Sequence, residues 1–206
     1  RLRDICDKHG ILLIFDEVIT GWGRTGSPFA SQAFGVTPDI MTMAKAVTNG
    51  VVPLGAVASR ENIYDTVLDA SPMGAVEFFH GYTYSAIPVS MAAGLAMQNI
   101  IEKENLFQRS KDMSPYFLDG LFSLKDIDVI TDIRGYGMMG GIDIHLDERP
   151  GKAGYTCFKK LFEAGLSLKA TGDCLIVAPP FVCETEHIDE IIEKLRTGIT
   201  NYMKSK

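Results

Sequence analysis

The chain has 206 residues, 46% of them hydrophobic and 22% charged, with a formal net charge of −6. These are globular proportions and exclude a disordered or collagen-like chain. The acidic balance argues against general binding to a nucleic-acid backbone, which needs a basic field. No apolar run approaches the roughly 20 residues of a membrane helix, so no membrane partner is expected. Cys6, Cys157, Cys174 and Cys183 form no CxxC pair, and no histidine stands near them in a ligand spacing. They read as reduced, buried thiols in a cytoplasmic setting, with no metal.

The chain begins at Arg1, already inside the charged amphipathic stretch RLRDICDKHG, which reads as the end of a helix closed by Gly10. No signal or transit segment is visible, and the expectation is an incomplete chain that starts mid-domain. Ile11–Phe15 is apolar and rich in strand formers, as a buried parallel strand would be. Asp16 and Glu17 come directly after it. Thr20–Pro28 is a glycine-rich loop with Trp22 and Arg24, and Phe29–Phe34 reads as one or two helical turns. Asp39–Ala44 and Gly55–Ser59 are further short strands, and Arg60–Asp69 is a helix. Strands alternating with helices indicate an α/β sheet.

A loop over Asp69–Ser85 then leads to a helix opened by Pro88, a residue suited to the first turn. Its small residues Ala92, Ala93, Gly94 and Ala96 imply close packing. A second helix covers Leu106–Leu124. The pattern changes from here. Asp126–Arg134 and Met138–His145 read as strands joined at Gly135–Gly137, and Tyr155–Ala164 as a helix stopped at Gly165. Ser167–Thr171 and Cys174–Ala178 form a hairpin around Gly172-Asp173. Glu184–Lys204 is an amphipathic helix with Ile188, Ile191, Ile192, Leu195 and Ile199 on one face. The expected organisation is α/β over 1–107, then a small α+β domain over 108–206.

In open α/β sheets ligands bind beyond the carboxyl ends of the strands. Asp16 and Lys45 both stand at such ends. An acid and a lysine facing one crevice suit imine chemistry: a partly neutral lysine forms a Schiff base, and an acid holds a pyridinium nitrogen protonated. On spacing alone the pair reads rather as two strand-end surface charges, since charges usually lie at the surface.

The wording of the motifs adds a resemblance. LLIFDEVITGWGRTG, PDIMTMAKAVTNGVVPLGAV and FFHGYTYSAIPVSMAAGLA, with VITDIRGYGMMGGIDI and SLKATGDCLIVAPPF, span almost the whole chain. Together they resemble the class III aminotransferases, which depend on pyridoxal 5′-phosphate. Within the class, HGYTYSA and DIRGYG are most similar to the β-alanine–pyruvate, or omega-amino-acid–pyruvate, aminotransferases.

The resemblance implies the C-terminal part of a fold-type-I large domain, then a small α+β C-terminal domain. It implies amino transfer from an omega-amino acid or amine to pyruvate, in a homodimer or homotetramer whose sites are built from two chains. Asp16 would pair with the cofactor's pyridine nitrogen, and Val18 would pack on its ring. Lys45 would form the Schiff base and move the proton. Thr83 would hydrogen-bond the cofactor phosphate, that of the neighbouring subunit. Lys169 holds the place of an arginine that binds substrate carboxylate in the family, without the bidentate fork, and Ile87 holds the place of a usual histidine. The family's glycine-serine phosphate cup and its ring-stacking aromatic have no counterpart before Asp16, which reinforces the expectation of a C-terminal fragment.

Gly135, Gly137 and Gly140 spell GxGxxG, but the next residues, GIDIHLDE, alternate like a strand, so a tight hairpin is expected rather than a dinucleotide site. Arg24 reads as a loop anchor, His80 as a residue shaping its loop, and His187 as solvated. The cofactor residues do not separate transamination from an aminomutase, racemase or decarboxylase. An inactive truncated or interaction module is the rival from another class.

Overall fold

A computed structural model describes residues 1–73, 80–145 and 149–204. Gly74 and the Phe78–Phe79 pair of the FFHGYTYS motif lie outside the described residues. The chain divides into two compact units, Arg1–Gly23 with Ser27–Asn105, and Arg24–Gly26 with Leu106–Lys206.

The first unit opens with α1 (Leu2–His9), closed by Gly10 in the left-handed conformation. Strands β1 (Ile14–Asp16) and β2 (Ile40–Met43) are parallel, with the short helix α2 (Ala30–Ala33) between them. Strand β3 (Ala56–Ser59) pairs antiparallel to β2, giving the order β1-β2-β3. Helices α3 (Glu61–Asp69) and α4 (Pro88–Lys103) complete the unit, with Pro88 at the first helical position.

The start of β2 is fixed by charge. Asp39, just before the strand, accepts hydrogen bonds from the Leu13 backbone N–H (2.7 Å) and from Arg3 (2.7 Å), and Arg60 stands 3.2 Å away. The Leu13 N–H and then the Arg3 guanidinium hold its carboxyl below the usual carboxylate range. The expected burial of β1 is not observed. Ile11, Leu12 and Ile14 are each more than half exposed, as is Val57 of β3. A three-stranded sheet offers too few neighbouring layers to cover both faces of its apolar strands.

The second unit packs α5 (Leu106–Phe122), α6 (Lys152–Glu163) and α7 (Thr185–Lys204) around a four-stranded antiparallel sheet. Its order is β4-β5-β7-β6, from β4 (Ile130–Tyr136), β5 (Met139–Ile144), β6 (Lys169–Thr171) and β7 (Cys174–Val177). Burial alternates along β5 and β7, as a sheet with one covered face requires. Ile142, Ile144, Leu175 and Val177 meet Phe117, Leu121, Leu161, Leu195 and Ile199 in one core. Gly140 belongs to that face because a Cβ there would stand 2.1 Å from Leu121 Cδ2. Gly135 and Gly140 pair across the end of the β4–β5 hairpin, whose turn is Gly137–Met138, and no helix opens at Gly140.

Candidate functional site

Asp16 is the last residue of β1 and pairs in register with Thr42 of the parallel strand β2. Lys45 lies just beyond the end of β2 and opens a single 3-10 turn, Lys45–Val47. Both side chains are exposed at the carboxyl ends of neighbouring parallel strands, the position at which open α/β sheets bind ligands.

The Asp16 carboxylate is oriented by two contacts on one oxygen. Oδ1 accepts the Val18 backbone N–H at 3.0 Å and the Thr42 hydroxyl at 3.4 Å. Both hydrogen bonds reach the same oxygen, so the acid is aimed rather than consumed. Val18 is half-buried beside it. Lys45 has φ +51°, a left-handed backbone that costs a non-glycine residue roughly 1–2 kcal/mol. The surrounding loop holds that conformation. Thr48 N–H and Gly50 N–H both donate to the Lys45 carbonyl, at 3.2 and 3.3 Å, and the Thr48 hydroxyl donates to Val52 O at 2.6 Å. Helix α4 backs the loop: the Ser90 hydroxyl donates to Pro53 O at 2.9 Å, and a Cβ at Gly94 would meet Leu54 at 3.0 Å. The small residues of α4 therefore permit the close approach that their composition implied.

Lys45 and Thr42 line a cavity of about 1240 Å3 in the first unit, together with His80, Tyr82, Tyr84 and Ala86. The Tyr82–Ser85 turn is closed at both ends, since Tyr82 N–H donates to Ser85 Oγ and Ser85 N–H to Tyr82 O, each at 2.9 Å. Thr83 is exposed on that turn, and Ala86 just beyond has φ +57°. Ile87 precedes Pro88 and lines the same cavity.

Lys169 lies in the second unit, exposed on β6. The register places it opposite Ile176, which pairs with Gly141, which in turn faces Arg134. One cross-strand row thus carries both cations. Arg134 is engaged by Asp143 (2.7 and 3.1 Å) and Asp132 (2.6 Å). The Asp143 hydrogen bonds come first among the influences that raise its pKa. Among the described residues Lys169 makes no such pair. The Asp173 carboxylate anchors its hairpin by accepting Gly151 N–H (2.8 Å) and Gly154 N–H (3.2 Å) at the start of α6.

Two features, and the partners of the expected loop anchor Arg24, escape sequence reasoning. Thr42 touches Asp16 and also lines the lysine cavity, which only the register of β1 on β2 reveals. Glu17 is buried and bonded within its own loop. Arg24 anchors a turn of the second unit, donating to Met138 O (2.9 Å) and Pro179 O (2.6 Å) and lying 4.5 Å over the Phe181 ring. His187 is exposed, and its Nδ1 accepts Glu184 N–H at 3.0 Å. Among the described residues no group of three metal-ligating side chains occurs, and no helix is long and apolar enough to cross a membrane.

Comparison with known proteins settles the family. Residues 1–199 match the aminotransferase class-III family. The chain belongs to the class-III aminotransferases. It is 47% identical over 199 residues to an omega-aminotransferase of Caulobacter vibrioides, covering 95% of this chain and 45% of that one. It is also 47% identical over 195 residues to a β-alanine–pyruvate aminotransferase of Pseudomonas aeruginosa, covering 94% and 44% respectively. A solved (S)-enantioselective omega-transaminase from Thermomicrobium roseum matches with a TM-score of 0.90 at 34% identity, over 98% of this chain and 46% of that one. This class-III chain thus spans a little under half the length of the curated relatives it matches.

The class-III enzymes depend on pyridoxal phosphate, and their fold is fold type I. The residues present suit that group. An aimed acid and a strained, exposed lysine stand at adjacent strand ends, the donor set that a pyridine nitrogen and an aldehyde require.

Proposed function

We propose that the protein carrying this chain is a pyridoxal-phosphate-dependent aminotransferase that moves an amino group from an omega-amino acid or amine, of the β-alanine type, to pyruvate. The observation that carries this reading is the placement of Asp16 and Lys45 at the ends of neighbouring parallel strands in a class-III chain. The 47% identity to an enzyme named for β-alanine and pyruvate supports the substrate pair.

When bound, the cofactor supplies an electron sink for the charge left at the donor carbon as its proton departs. Asp16, held by Val18 N–H and Thr42, keeps the proton on the pyridine nitrogen. Opposite charges about 4 Å apart gain roughly 4 kcal/mol at an effective dielectric of 20, before desolvation, which suffices to raise the ring pKa by a unit or more. Val18 would pack on the ring. Lys45 would hold the cofactor through its amine and would move the proton at the donor carbon, a task for its neutral form. Thr83, presented on its closed turn, would donate to the phosphate held in a neighbouring subunit. Lys169 receives the donor carboxylate as a point charge rather than a fork.

On this reading the protein is a cytoplasmic homodimer or homotetramer. The test is alanine formation from β-alanine and pyruvate, with the cofactor's spectrum monitored on adding each substrate separately. A spectrum driven one way by the donor and restored by pyruvate, with alanine accumulating, supports transamination. Turnover of the donor without any need for a keto acid would point to a mutase, racemase or decarboxylase and overturn it.

A further inference from the structure

Glu17 is 1% exposed, between Asp16 and Val18. A buried carboxylate is costly unless it is fully hydrogen-bonded, and this one is. Oε2 accepts the Thr20 hydroxyl and the Ala30 N–H (2.9 Å), while Oε1 accepts the Ser31 N–H (2.7 Å). Its backbone is engaged as well. Glu17 N–H donates to Thr42 O at 2.9 Å, carrying the β1–β2 ladder one residue further, and Glu17 O accepts Gly21 N–H at 2.9 Å. All its polar atoms therefore fix the path of residues 16–21.

Successive side chains in extended backbone point to opposite faces. Locking Glu17 inward, onto the start of α2, turns the preceding Asp16 outward, and the turn closed by Gly21 N–H on Glu17 O carries Val18 away from the strand. The Val18 N–H that aims Asp16 Oδ1 is one peptide beyond the locked residue. We propose that Glu17 is a positioning residue: its buried carboxylate, held by Thr20, Ala30 and Ser31, sets the orientation in which Asp16 and Val18 meet the cofactor. This rests on the cofactor-binding reading given above. It makes Glu17 more than a cap for the four-residue helix α2.

The experiment uses the protein carrying this chain, prepared free of cofactor and then titrated with pyridoxal phosphate. The variants are Glu17→Gln, which places an amide among N–H donors, and Thr20→Val, which removes one donor and keeps the charge. Three quantities are read: the cofactor dissociation constant, the position of its visible absorption band, and the unfolding midpoint of the cofactor-free protein. The expected result is an affinity loss of about tenfold for Glu17→Gln, the scale of one charge-assisted hydrogen bond, together with a displaced band. Thr20→Val should show a smaller change of the same kind.

A lowered unfolding midpoint with unchanged affinity and band would make Glu17 a structural cap only and overturn the inference. If Glu17→Gln does not fold, Thr20→Val decides on the same criteria. Wild-type protein and Asp16→Asn are the controls. A wild type that shows no band, or an Asp16→Asn that binds and absorbs like wild type, overturns the cofactor-site reading itself. Controls behaving as expected beside silent Glu17 and Thr20 variants overturn only the positioning role.

Discussion

Replacing Arg24 with methionine tests how the second unit is held together. The guanidinium donates to two backbone carbonyls, Met138 O at 2.9 Å and Pro179 O at 2.6 Å, and lies 4.5 Å over the Phe181 ring. The Arg24 carbonyl also accepts Met138 N–H at 2.9 Å, so the backbone keeps one tie whatever the side chain. Hydrogen bonds made by a charged group contribute roughly 1.5–3 kcal/mol each, and a partly desolvated cation–π contact about 1 kcal/mol. Against this stands the cost of burying the charge, which pulls the Arg24 pKa down and which methionine avoids. After that offset, Arg24→Met should destabilise by about 3 kcal/mol, because two carbonyls lose their donor while the apolar volume is kept. Arg24→Lys should lose about half as much, since an ammonium keeps the charge but has no fork to span both carbonyls. Urea unfolding of the cofactor-free protein, monitored by circular dichroism, measures both. An Arg24→Met variant within about 0.5 kcal/mol of wild type, the range of ordinary surface substitutions, would refute the anchoring role.

Substitutions at four other sites have defined outcomes. Gly137→Ala should destabilise by at least about 3 kcal/mol, because Gly137 has φ +61° and a Cβ would stand 2.3 Å from Arg24 O; Gly10→Ala, at φ +63° with open space around it, should cost only about 1 kcal/mol, and the same urea unfolding separates the two. The pH dependence of Asp39 has a definite sign. Its folded-state pKa is depressed by Leu13 N–H and then Arg3, so its stabilisation is present above the unfolded value near 3.9 and is lost as pH falls through the folded value; the stability gap between wild type and Asp39→Asn should therefore close in acid denaturation profiles. Asp16→Asn should leave the circular dichroism unchanged but lower the transamination rate at least about a hundredfold, the equivalent of roughly 2.7 kcal/mol of transition-state stabilisation.

The features legible in the sequence are local ones. The end of α1 at Gly10, the start of α4 at Pro88 and the β6–β7 hairpin at Gly172-Asp173 each rest on one or two residues with restricted backbone preferences. The placement of Asp16 and Lys45 at strand ends is legible for the same reason, since a short apolar run ended by a charge marks its own terminus. Long-range pairing is not. Nothing in GWGRTG discloses that Arg24 finds its carbonyl partners 114 and 155 residues away. The insertion of β7 between β5 and β6, and the antiparallel run of β3 on β2, depend on register that a hydrophobic pattern does not encode. The burial of Glu17 beside Asp16 is not legible either, because the donors that permit it lie in Thr20 and in the backbone of α2. The apolar run of β1 announces a strand but not its exposure, as burial depends on what covers the sheet.

The most direct measurement is to reduce the protein carrying this chain with borohydride in the presence of pyridoxal phosphate, digest it, and locate the modified lysine by mass spectrometry. The label should sit on Lys45 alone, and Lys45→Ala should carry none and lose the visible cofactor band. Label on another lysine, or a band that survives in Lys45→Ala, would contradict the assignment of the strand-end lysine as the residue that holds the cofactor.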